Sequence, residues 1–116
     1  MKKYLFLLAL MSPVFAFAGA YEDMEQAMIR RDASVVIELL GRGMEVNTVD
    51  RSGDTLLIQA VRLDMAELID YLVQRRARLN SRNRNGETAL SIAAFMGKMP
   101  YVQRLVEAGA ELNFYG

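Results

Sequence analysis

The chain has 116 residues, with 14 basic and 14 acidic side chains and no His, Cys or Trp. Neutrality removes any general attraction to nucleic acid or to an anionic membrane surface. The missing residue types exclude disulfide staples, thiolate chemistry, the commonest general base, the usual zinc ligands and an acylated-cysteine anchor.

At the N-terminus, Lys2 and Lys3 precede an apolar run from Tyr4 to Met11, then Ser12-Pro13 and small residues ending at Ala20. This order of charged, apolar and small-residue regions predicts a cleavable signal peptide over residues 1–20, cut after Ala18 or Ala20. The apolar run is interrupted and shorter than the ~20 residues a spanning helix needs. The expected product is periplasmic, with no stable membrane anchor after cleavage. Without Lys2 and Lys3 the balance is 12 basic to 14 acidic residues, and what remains suits one domain with a modest core.

Beyond residue 20 the chain repeats. Asn47, Asn80 and Asn113 are 33 residues apart, and the same shift superposes Gly53 on Gly86, Thr55 on Thr88, Ala60 on Ala93 and Ala77 on Ala110. The first predicted helix of each unit carries Met24-Ala27-Met28, then Leu57-Ala60-Val61, then Leu90-Ala93-Ala94. The second carries Val35, Val36, Leu39 and Leu40, then Leu68, Ile69, Leu72 and Val73, then Tyr101, Val102, Leu105 and Val106. Offsets of 0, 1, 4 and 5 put each set of four on one side of a helix. Turn-prone stretches, Asn47–Gly53 and Asn80–Gly86, separate the units. Thr55 and Thr88 are placed to cap the helices that follow.

Read this way, the chain resembles the ankyrin-repeat family. The second unit carries Asp50-Arg51-Ser52-Gly53-Asp54-Thr55-Leu56-Leu57-Ile58-Gln59-Ala60-Val61, ending in Ala77-Arg78-Leu79-Asn80. The third carries Gly86-Glu87-Thr88-Ala89-Leu90-Ser91-Ile92-Ala93-Ala94, then Gly97, and Gly109-Ala110-Glu111-Leu112-Asn113. A 33-residue period is specific to this architecture. The resemblance implies an all-α ankyrin-repeat solenoid of about three helix-turn-helix units (21–50, 51–83 and 84–116) joined by β-hairpin-like loops. The family's Pro and His after the threonine are missing, and two of its glycines are replaced by Asp64 and Arg76. The first helix is polar on its outer side and suits a cap. The last unit, with Ile92, Phe95, Met96, Met99 and Tyr101, is an apolar end.

The sequence offers no Ser-x-x-Lys, no Gly-x-Ser-x-Gly and no Gly-rich phosphate loop. Neither an enzyme nor a bound cofactor or metal is expected, and Glu45, Asp54, Asp70, Glu87 and Glu111 are read as surface carboxylates. The cluster Arg75, Arg76, Arg78, Arg82 and Arg84 is read as a solvated turn and hairpin, or as an anchor for an acidic partner. The resemblance implies protein binding through hairpin tips and the inner helix face. Those positions are Arg51, Asp54, Arg62 and Leu63 in the second unit, and Arg84, Asn85, Glu87, Phe95 and Met96 in the third. The implied partner is another protein, a periplasmic toxin neutralised by an immunity protein or an envelope protein, rather than nucleic acid. An envelope-assembly or oxidative-stress-protection factor, acting as a scaffold or as a homodimer through the C-terminal unit, is the alternative.

Overall fold

The structure is a computed structural model that describes residues 13–112, with side chains from Gly19 onward. The charged and apolar stretches of the expected signal peptide, and Asn113 of the asparagine series, lie outside the described residues. The described residues form six helices: α1 (Pro13–Ile29), α2 (Ala33–Gly41), α3 (Leu56–Arg62), α4 (Ala66–Gln74), α5 (Ala89–Phe95) and α6 (Met99–Glu107). They contain no strand; one isolated antiparallel bridge joins Val49 to Thr55. They divide into two compact units, one ending at Met44 and the other beginning at Glu45.

In the first unit α1 packs on α2. Met24, Ala27 and Met28 are buried from α1, and Val36, Leu39 and Leu40 from α2. Both candidate cleavage points fall within α1. Asp32 starts α2 by accepting a hydrogen bond from the Val35 amide, which satisfies a donor that the helix itself leaves open.

The second unit holds two helix pairs, α3–α4 and α5–α6, with α3 packed against α5. These helices have only seven or nine residues, too few to be stable alone in water, so packing must supply their stability. The fully buried Leu56, Leu57, Ile58, Leu68, Ile69, Leu72, Leu90 and Leu105 do so. Thr55 and Thr88 cap α3 and α5 as their spacing predicts. Thr88 and Ser91 bond reciprocally, side chain to backbone, in a capping box.

Every described helix ends the same way. One amide bonds back across the last turn and the next bonds further back: Asp64 N to Val61 O and Met65 N to Ala60 O after α3, and Arg76 N to Val73 O and Ala77 N to Leu72 O after α4. This pattern needs a left-handed residue, usually glycine. Gly43, Gly97 and Gly109 fill three of the six places, but Arg31, Asp64 and Arg76 stand in the others with φ of 56°, 59° and 57°. The family glycines missing from the sequence are therefore missing where the backbone still takes the glycine conformation.

Two expectations about the core are corrected. Ile92, read as part of the exposed apolar end, is buried, and Ala94, read as core, is exposed. Helix α5 packs on both α3 and α6, so it buries more than one stripe.

Candidate functional site

Two homologous hairpins open the repeats of the second unit. Asp50 Oδ1 accepts the amides of Ser52 and Asp54. Thirty-three residues later Asn83 Oδ1 accepts those of Asn85 and Glu87. Each turn is closed further by a backbone bond, Gly53 N to Asp50 O and Gly86 N to Asn83 O. The hairpins touch: Arg84 N donates to Ser52 O at 3.1 Å. A Cβ at Gly53 would sit tightly, 3.2 Å from the Arg84 amide nitrogen, whereas a Cβ on Gly86 would meet nothing. At the far side of each repeat Asn47 Oδ1 accepts the Arg78 amide and Asn80 Oδ1 the Glu111 amide, both at 2.8 Å. These bonds give the regular asparagine spacing its structural work.

Three of the predicted site residues are brought together. Arg62 Nε bonds Asp54 Oδ2 at 3.0 Å, and the guanidinium also reaches Glu87 Oε1 at 2.8 Å. Asn83 Nδ2 donates to Asp54 Oδ1 and to Glu87 Oε1, both at 2.8 Å. One arginine and one amide thus hold two carboxylates from successive hairpins. Asp54, read as a surface carboxylate, is buried, and Glu87 is half-buried. The Asn83 amide and then the Arg62 guanidinium hold the Glu87 carboxyl below its ordinary range, against the partial desolvation that would raise it. Partial burial opposes the Arg62 charge, but its bonds to Asp54 and Glu87 keep the guanidinium above its usual value.

Asn83 was visible in the sequence only as a turn residue. Its one signal was the exchange of Asp50 for Asn at the same repeat position. A carboxylate there would face two others; an amide donates to both.

The remaining predicted residues stay apart from this network. Arg51, Arg84 and Asn85 are exposed on the hairpins, and Leu63 is half-buried at the end of α3. Phe95, at the end of α5, is 94% exposed, and Met96 beside it is also exposed. In the basic cluster, Arg75 lies over the Tyr71 ring and bonds its hydroxyl, and Arg82 donates to Gly86 O.

A second set of contacts ties α4 and its preceding turn to α6. The Tyr101 hydroxyl donates to Asp64 Oδ1, Lys98 Nζ lies 3.4 Å from Asp64 Oδ2, and Arg104 pairs with Asp70 at 2.9 Å. Desolvation and then the Asp64 contact push the Tyr101 phenol up to about 12. In the first unit a shallow hollow of 290 Å³ is lined by mixed charges, among them Asp23, Arg30, Asp32, Glu38 and Arg42. Among the described residues no group of three or more Asp or Glu is placed to hold a metal ion. No helix there is long and apolar enough to cross a membrane.

Paired short helices, hairpins that bond to one another and a 33-residue asparagine series define a helical-repeat protein of the kind that serves as a protein-interaction scaffold. The chain belongs to the ankyrin-repeat family: a family model for ankyrin repeats, in three copies, matches residues 24–115. Among solved structures it is similar to the ankyrin-repeat domain of Bcl-3, a member of the IkappaB protein family. That match has a TM-score of 0.68 and 34% identity over 73% of this chain. The chain spans 38% of the length of that structure. No curated protein matches it.

Proposed function

We propose that this chain is a non-catalytic binding module, exported to the bacterial periplasm, that seats one partner protein against Phe95, Met96 and the hairpin tips. Ankyrin repeats bind other proteins, and the observation that carries the reading here is the exposure of the Phe95 ring. A phenyl ring left 94% exposed contributes almost nothing to folding, whereas covering it would yield about 2 kcal/mol of hydrophobic stabilisation. Arg62, at the same position one repeat earlier, is committed to Asp54 and Glu87, so Phe95 rather than Arg62 is the clean probe of binding. The expected export signal and the lack of His and Cys in this sequence fit an immunity protein that caps a toxin's active site.

The test is capture from periplasmic extract by the protein and by Phe95→Asp. One stoichiometric partner, lost in the variant and inhibited by the unmodified protein, supports the reading. Equal capture by both overturns the assigned surface, and recovery of the protein only from the cytoplasm overturns the assigned compartment. A second reading, an envelope-assembly or oxidative-stress-protection scaffold, draws on the further exposed apolar residues Met99 and Val106 of α6.

A further inference from the structure

Residues 71–86 hold five arginines and no carboxylate. The acids that bracket this stretch are both taken up inside the protein: Asp70 pairs with Arg104, and Glu87 with Arg62 and Asn83. The two hairpins of the second unit treat their acids in the same way. Asp50 turns an oxygen onto the Ser52 and Asp54 amides, and Asp54 is buried against Arg62 and Asn83. The arginines at the tips are left over. Arg51 and Arg84 are exposed, and neither guanidinium has a bonding partner among the described residues.

The stacking of the hairpins fixes where both side chains start. Arg84 N donates at 3.1 Å to the carbonyl of Ser52, the residue after Arg51. Phe95 stands eight residues after Glu87, as Arg62 stands eight after Asp54. From its position Arg62 bonds Asp54 and Glu87 of the two hairpins, so the repeat puts the exposed Phe95 ring on the hairpin side of α5. The surface therefore joins an apolar ring to two cations that no carboxylate among the described residues neutralises. An exposed charge pair is weak in water, but complementary charge around an apolar anchor steers encounter and selects the partner. The chain as a whole is neutral, so the attraction is local to the tips. That suits a short acidic segment better than a long polyanion or a membrane surface.

We propose that this site takes an acidic segment of a partner protein, in which Asp or Glu flanks a bulky apolar residue, and that its carboxylates pair with Arg51 and Arg84. The proposal rests on the reading of Phe95 as the binding surface and names the chemistry of what binds there. Its test selects a phage-displayed random peptide library on the immobilised full chain. Enriched peptides should carry clustered Asp or Glu beside an apolar residue. A synthetic copy should bind more weakly as salt rises, and roughly tenfold more weakly to the double variant Arg51→Glu and Arg84→Glu. The double variant Arg76→Glu and Arg78→Glu makes the same change in net charge elsewhere in the basic stretch and should bind as the parent does. All four arginines are exposed, and helical circular dichroism checks that both variants fold. Phe95→Asp separates the two readings. A peptide that depends on Arg51 and Arg84 but ignores Phe95→Asp would overturn the Phe95 surface and support the arginine assignment. No enrichment, enrichment without an excess of acid, equal loss in both charge variants, or tighter binding to phosphatidylglycerol vesicles than to the peptide would each overturn the proposal.

Discussion

The second and third repeats have nearly the same pattern of apolar residues, yet they bury it differently. Ile69 of α4 is buried, while Val102, its equivalent on α6, is half-buried; Asp54 is buried, while Glu87 is half-buried. The second repeat packs its α3 against α5 of the third, and the pattern it offers there becomes core. The third repeat leaves part of the same pattern at the surface. In a repeat protein, burial is therefore a property of neighbouring pairs as much as of the unit itself.

The largest expected difference between the two repeats lies in the core. Ile69→Ala should cost about 2–5 kcal/mol by chemical denaturation, as a buried large-to-small change does. Val102→Ala should cost less than about 1 kcal/mol, since it loses fewer methyl groups from a site still partly in water. Equal costs would show that the third repeat is covered in solution.

The hairpins sharpen the contrast next. Asn83→Asp should destabilise by about 1–3 kcal/mol, because it turns a donor to two carboxylates into a third carboxylate. Asp50→Asn, at the same position one repeat earlier, should be mild, since its amide oxygen can still accept the Ser52 and Asp54 amides. Urea unfolding of both variants decides this, and an Asn83→Asp variant as stable as the parent would remove the network from the account.

Arg76 and Gly109 share one left-handed position in successive repeats. Replacing Arg76 by Gly should raise stability by about 0.5–1 kcal/mol, the relief of left-handed strain less the added freedom of the unfolded chain. A loss of stability would mean that the Arg76 side chain makes a contact worth more than that strain.

The smallest effect concerns acid. The Glu87 carboxyl is held below its unfolded value of 4.5. Its contribution is therefore fully present above that pH and is lost as pH falls through the lower folded value. Exposure and salt screen it. Glu87→Gln should flatten this part of the stability–pH curve, and a curve unchanged by the substitution would assign the acid response elsewhere.

Much of the fold was legible in the sequence because its evidence is periodic. The 33-residue shift places Leu57 on Leu90 and Thr55 on Thr88, and the structure uses those residues as core and caps. The period also placed Ala94 on Val61 and so assigned it to the core, but Ala94 is exposed where Val61 is buried. Phe95 stood out as a bulky apolar residue beyond the core stripe, and its ring is exposed. Arg62 stood out too, but its commitment to Asp54 and Glu87 was not visible, because those partners are 8 and 25 residues away and converge only when two hairpins stack.

The amino-acid order by itself determined the repeat length, the helix pairs, the capping threonines and the turn chemistry, since each is decided by residues within one turn or one period of each other. The tertiary structure decided which polar groups became internal and which apolar ones stayed outside. Desolvation and ion pairing depend on what lies across the next repeat, a distance along the chain that no local pattern encodes.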